Sequence, residues 1–200
     1  LGNFKDYWDE FKKYDRLSGG FIWDFADQAI KYTNKDGITE WRYGGDFGDR
    51  PNAGTFAFNG IVRADRKPNP ALYEVKKQYQ QVDFTLDGDI LKLKNRYLFT
   101  DLSEFSLLFI DLIDGEVKET KSIMLPSIPA GTEGQIKLDI KAEEGLEHSI
   151  IVSLKVVKEG GRLAVGHTVA YEQFFINVSP LKLKPLKGTV DIKEGKKHIE

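Results

Sequence analysis

The chain has 200 residues, 40% of them hydrophobic, which is enough for one large core or two small ones. Its 29 lysines and arginines nearly balance 31 aspartates and glutamates, so there is no electrostatic reason to expect nucleic acid or an anionic membrane as partner. With no cysteine, disulfides, thiolate metal sites and cysteine nucleophiles are excluded.

The start, LGNFKDYWDEF, is charged and amphipathic, unlike a signal peptide. No apolar run approaches the roughly 18 residues of a spanning helix. The lone methionine, Met124, is internal, and the chain reads as a piece of something longer. These features fit cytoplasm and periplasm alike. Phe4, Tyr7, Trp8, Phe11 and Tyr14 fall at helical spacing, which predicts a helix over residues 3–14 with one apolar stripe. Leu17-Ser18-Gly19-Gly20 ends it, since glycine takes the left-handed cap conformation. Residues 21–25 (FIWDF) form a short apolar run without alternation, expected of a strand buried on both faces. A long irregular stretch over residues 31–70 follows, rich in Gly, Asp, Asn and aromatics. Pro68 and Pro70 then lead into a helix over residues 71–81. Helix, buried strand, long loop and helix are the parts of an α/β barrel or a doubly wound sheet, with function on the loop after the strand.

From Val82 the period changes to two. Strands are expected at 82–86, 90–93, 97–100, 106–113, 117–124, 134–140, 148–157 and 165–176. Turns are expected at Asp87-Gly88-Asp89, Asp114-Gly115, Pro129-Ala130-Gly131 and Gly160-Gly161. About seven short strands over roughly a hundred residues predict an immunoglobulin-like sandwich. After Ser179-Pro180 the chain turns lysine-rich, and residues 182–187 read as a solvated linker. Residues 189–192 are the candidate first strand of a further module.

Three stretches carry the functional signal: SGGFIWDFADQ (18–28), YGGDFGDRPN (43–52) and FAFNGIVRADRKPNPAL (56–72). Together they put a tryptophan and several carboxylates on loops beside an Asn-Gly turn. Sugar pockets are often built so, from an aromatic face for the ring and acceptors for its hydroxyls. These stretches resemble glycoside hydrolase family 2, in the branch of the large bacterial β-galactosidases. The likeness continues more weakly into YLF (97–99) and GHTVAYEQF (166–174). The resemblance implies an α+β architecture: residues 1–80 as the C-terminal βα portion of a (β/α)8 catalytic barrel, residues 81–179 as the following immunoglobulin-like β-sandwich, and residues 180–200 as a linker and the start of the next domain.

The resemblance also implies roles. Trp23 stands where these enzymes set a tryptophan against the galactosyl ring. Read without the family, it is a core tryptophan at a strand end. The backbone carbonyl of Phe56 and the side-chain oxygen of Asn59 stand where the family binds a sodium ion, with the aspartate that completes the site on an earlier barrel loop; read alone, Asn59-Gly60 is a turn. The two catalytic glutamates and the magnesium ligands are expected upstream of Leu1. No catalytic residue is therefore expected in this chain, and neither ion is expected bound to it alone. Asp24, Asp27, Asp46, Asp49 and Asp65 are expected to cap turns and to pair with Arg42, Arg50, Arg63 and Arg66. The histidines, His148, His167 and His198, match no metal motif.

The expected partners are a galactoside, reached through the longer enzyme, and that enzyme's remaining domains. A second copy is a further candidate partner: the apolar faces of residues 4–14 and 21–25 lack barrel neighbours, so residues 1–80 are expected either to pack on the sandwich or to pair with another copy. A second class of reading makes the sandwich a non-catalytic carbohydrate-binding module, using Tyr97, Phe99, Phe105, Phe109, Tyr171, Phe174 and Phe175. A third makes it an interdomain spacer.

Overall fold

The computed structural model describes residues 2–141 and 145–178; the expected linker, the strand at 189–192 and His198 lie outside them. The first unit holds helix α1 (Phe4–Lys13), a hairpin of β1 (Ile30–Thr33) and β2 (Thr39–Arg42), and helix α2 (Pro70–Gln78). Only one side of the α1 stripe is covered. Phe4 is buried with Ile61 and Val75, and Trp8 packs against them. The Trp8 ring also stacks on Tyr79 at 4.7 Å between centroids. Tyr7 stays 63% exposed. Pro70 suits the first position of α2, where no intrahelical donor is needed.

The apolar run 21–25 departs from expectation, for Phe21, Trp23 and Phe25 are exposed rather than buried. A barrel strand is buried only when strands flank both edges and helices cover its outer face. Among the described residues the run is paired along one edge, through Asp24 and Phe25 and on to the parallel Ala26–Val62 bridge. The hairpin β1–β2 falls within the stretch read as irregular. Its five-residue loop is closed by the Asn34 side chain, whose oxygen accepts from the amides of Asp36 and Ile38.

The second unit is two facing sheets. One, ordered β3-β4-β7, comprises β3 (Val82–Asp87), β4 (Ile90–Asn95) and β7 (Glu133–Lys137). The other, ordered β6-β5-β8-β9, comprises β5 (Phe105–Ile113), β6 (Glu116–Met124), β8 (His148–Val156) and β9 (Thr168–Asn177). All pairs within them are antiparallel. Alternate residues face inward, so Leu91 and Leu93 of one sheet meet Leu107, Phe109, Ile150, Val152 and Leu154 of the other in one buried core. Tight turns join β3 to β4 at Gly88 (φ 60°) and β5 to β6 at Asp114-Gly115 (φ 49° and 80°).

The expected strand at 97–100 does not form. The chain must change sheets between β4 and β5, so an extended segment there has no ladder to join. The turn is held by side chains instead. Asn95, 1% exposed, donates to the carbonyls of Thr100 and Ile128 at 2.9 Å each and accepts from the Tyr97 amide. Beyond it, Asp101 accepts from the amides of Ser103 and Ile128 and from the Ser127 hydroxyl. The other two corrections are small: β7 stops at Lys137, and β9 begins at Thr168, leaving His167 in the preceding turn.

Polar joints tie the units together. Lys77 of α2 donates to the Tyr171 carbonyl at 2.5 Å and pairs with Glu172 at 2.9 Å. Gln80 accepts from the Tyr171 amide at 3.1 Å. Asp83 receives both Lys12 and Arg96.

Two outcomes follow for stability. Asn95→Ala removes both donated bonds and the acceptor of the Tyr97 amide; the Ile128 carbonyl keeps the Leu102 amide, so the cost should be about 1–3 kcal/mol in denaturant unfolding. The Ser103 amide and its companions hold the Asp101 carboxyl down to about 2 from 3.8. A carboxyl lowered by folding stabilises above its unfolded value and loses that contribution as pH falls through the folded one. Asp101→Asn should therefore lower the thermal midpoint most above pH 4, and the two melting curves should converge toward pH 2.

Candidate functional site

The parallel contact between residues 24–27 and 59–62 builds the site. Asp24 donates its amide to the Asn59 carbonyl (3.1 Å), and its own carbonyl accepts from Ile61 (2.9 Å). Val62 donates to the Phe25 carbonyl (2.9 Å), and Asp27 to the Val62 carbonyl (3.0 Å). The Asp27 side chain then reaches across to accept the Gly60 amide at 2.8 Å. Gly60 is fitted into this contact without space. A Cβ there would stand 2.2 Å from the Asp27 nitrogen and 2.3 Å from the Val62 oxygen. Glycine is required by close approach here, not by a positive φ.

Trp23 precedes Asp24 through a cis peptide and is 69% exposed. The hydrogen bond from Asp24 to Asn59 brings the Trp23 and Asn59 backbones to neighbouring positions. Phe56 lies on the same loop as Asn59 and is 61% exposed. Among the described residues, neither the Phe56 carbonyl nor the Asn59 side chain is engaged in a hydrogen bond. Two unspent neutral oxygens three residues apart suit a hard monovalent cation. No group of three acidic or histidine side chains able to hold a metal occurs among the described residues, so these residues do not by themselves fit magnesium. An open apolar groove of about 310 Å³ runs beside Trp23, lined by Phe4, Tyr7, Trp8, Phe21 and Ile22.

Of the five aspartates, Asp46, Asp49 and Asp65 cap turns, while Asp24 binds within its own segment and Asp27 across the chain. Asp24 accepts from Phe25 and from the Gln28 amide group, Asp46 from Tyr43, Asp49 from Gly45, and Asp65 from Lys67. Among the described residues none of them forms an ion pair with Arg42, Arg50, Arg63 or Arg66, although the Arg63 charge helps lower Asp65. Arg42 pairs with Glu40 at 2.7 Å and lies 3.7 Å over the Tyr32 ring. That contact holds the Glu40 carboxyl below the usual range and raises Arg42. Asp65 is lowered chiefly by the Lys67 amide. Short-range backbone donors outcompete the arginines because they need no ordering of a long side chain. The Asp27–Gly60 bond was missed from sequence, since nothing in the spacing of two loops announces a contact across 33 positions.

Residues 1–84 match "Glycosyl hydrolases family 2, TIM barrel domain", and residues 91–177 match "Beta-galactosidase, domain 4". The chain belongs to glycoside hydrolase family 2. It is similar to the β-galactosidase of Leuconostoc mesenteroides subsp. mesenteroides, 33% identical over 97% of this chain and 19% of the relative. It is likewise similar to that of Priestia megaterium (38% identical over 88% of this chain and 18% of the relative) and to that of Klebsiella pneumoniae (37%, over 87% and 17%). The chain thus spans about a fifth of the length of these curated relatives.

Gly60→Ala should push residues 24–27 off the 59–62 segment. Overpacking of this kind costs about 1–3 kcal/mol or more. The check is a loss of the Trp23 fluorescence environment in Gly60→Ala, with the sandwich melting transition retained.

Proposed function

We propose that this chain is part of a retaining β-galactosidase that hydrolyses terminal β-D-galactosides in carbohydrate metabolism. In this reading residues 1–80 are the end of its (β/α)8 barrel and residues 81–179 an immunoglobulin-like sandwich. The parallel pairing of 24–27 with 59–62 supports the first assignment, because neighbouring barrel strands run parallel. The three-plus-four antiparallel strand order supports the second.

The observation that carries the reading is the exposed Trp23 ring together with unspent oxygens at Phe56 and Asn59, on segments joined by the Asp24–Asn59 backbone bond. Trp23 offers the galactose ring an apolar face, while the polar groups around it meet the hydroxyls. A sodium ion held by the Phe56 carbonyl and Asn59 Oδ1 would supply a positive charge that orients a sugar hydroxyl. Retaining hydrolysis needs two carboxyls about 5 Å apart, one as acid/base and one as nucleophile. The aspartates here are occupied by backbone amides, which favours assigning both catalytic roles, and magnesium, to the remainder of the enzyme. This chain alone is then inactive. The bare run 21–25 is covered by the remaining barrel; association with a second copy stays a further proposal for that face.

The alternative, a carbohydrate-binding or spacer sandwich, has some support. Phe99, Tyr171 and Phe175 are exposed, whereas Phe105 and Phe109 are buried. Lys77 lies 4.7 Å over the Tyr171 ring, however, so that ring serves the joint between units.

The test is hydrolysis of a nitrophenyl glycoside panel by the full-length enzyme and by this chain. Cleavage of the β-galactoside by the full-length protein alone supports the reading, and turnover by this chain would overturn the assignment of sites. In the full-length enzyme, Trp23→Ala should raise KM roughly tenfold, the worth of one good ring contact.

A further inference from the structure

Asn69 occupies the N-cap of α2 yet makes no capping bond with its side chain. An asparagine there ordinarily accepts from the first turn of its own helix, a contact worth about 1 kcal/mol. Its side chain turns away instead and donates to the Gly60 carbonyl at 2.8 Å. Its backbone amide donates to the neighbouring Ile61 carbonyl at 3.1 Å. The tight turn over residues 63–67, closed by Arg63 to Lys67 at 2.8 Å, returns the chain to this point. Gly60 is therefore gripped from two sides, through its amide by Asp27 and through its carbonyl by Asn69. Behind Asn69, α2 is anchored to the sandwich through Lys77, and Gln80 just past the helix adds a second bond.

We propose that Asn69 is a positioning residue: its side-chain amide, spared from helix capping, fixes the Asn59-Gly60 turn against residues 24–27 and so sets Trp23 and Asn59 relative to each other. Its effect on turnover rests on the galactosidase reading above; its effect on the turn does not. Asn69→Asp separates the two roles of this position. Aspartate caps as well as asparagine and adds a favourable charge at the helix N-terminus, but it cannot donate to Gly60. Asn69→Ser also caps and is too short to reach.

The experiment is hydrogen exchange by mass spectrometry on the full-length protein, following peptides over residues 22–28 and 57–63, with nitrophenyl-β-galactoside kinetics on the same samples. Both variants should exchange about tenfold faster in these peptides, while peptides over residues 105–113 and 148–156 keep their protection. KM should rise about tenfold with kcat within about twofold, the pattern of weakened positioning of bound substrate. A merely structural role would lower kcat through loss of folded protein and leave KM alone. Unchanged exchange at 22–28 and 57–63, or a fall in kcat without a rise in KM, overturns the inference. If wild-type protein does not cleave the galactoside, the functional reading falls, and exchange alone decides the role of Asn69.

Discussion

The first unit depends on a backbone contact so close that only glycine fits it. Where residues 59–62 run beside residues 24–27, the Gly60 amide lies against the Asp27 carboxylate, and no side chain can intervene. This is a short parallel ladder without a regular strand on either side. Its strength is the convergence of four backbone bonds and one charge-assisted bond within a few residues. Everything at the candidate site is placed by it: Trp23 precedes one partner of the ladder, and Phe56 and Asn59 lead into the other. The exposure of Phe21, Trp23 and Phe25 is the reverse of the same geometry, since pairing on one edge leaves their face open while Ile22 alone packs on the cluster of Phe4, Ile61 and Val75.

The second unit is stabilised differently. Its two sheets bury a continuous apolar layer from Val82 to Ala170, and Asn95 and Asp101 serve the place where the chain leaves a ladder. Asn95 and Asp101 satisfy the backbone at the crossing between sheets, where regular pairing is impossible. His148, fully buried, is held by Asp111 at 2.6 Å on neighbouring strands. The joint between the units is polar, made by Lys77, Gln80 and Glu172 on one side and Lys12, Asp83 and Arg96 on the other. Such a joint fixes orientation through hydrogen-bond direction more than through buried area.

Much of this was legible in sequence. The stripe from Phe4 to Tyr14 and the Pro70 start located both helices. Period-two alternation located the seven sandwich strands, and Gly88 and Asp114-Gly115 located their turns. The false strand at 97–100 shows the limit of that reading, because Tyr97 to Thr100 has strand composition but falls where the chain changes sheets. The hairpin of β1 and β2 was missed for the opposite reason. Its strands are four residues long and mostly exposed, so burial imposes no pattern on them.

The sequence by itself determined both helices, the sandwich strands and the family, since local periodicity, turn chemistry and three dense motifs all lie within short windows. It also determined that Trp23 and Asn59 were worth attention. Only the tertiary structure decided that Trp23 stands exposed rather than buried, that the aspartates bind backbone amides rather than arginines, and that Asn69 reaches Gly60 instead of capping its helix. Each of those outcomes depends on which distant backbone groups arrive alongside. A single hydrogen bond between loops leaves no period in a sequence, because its partners are chosen by the path of the whole chain.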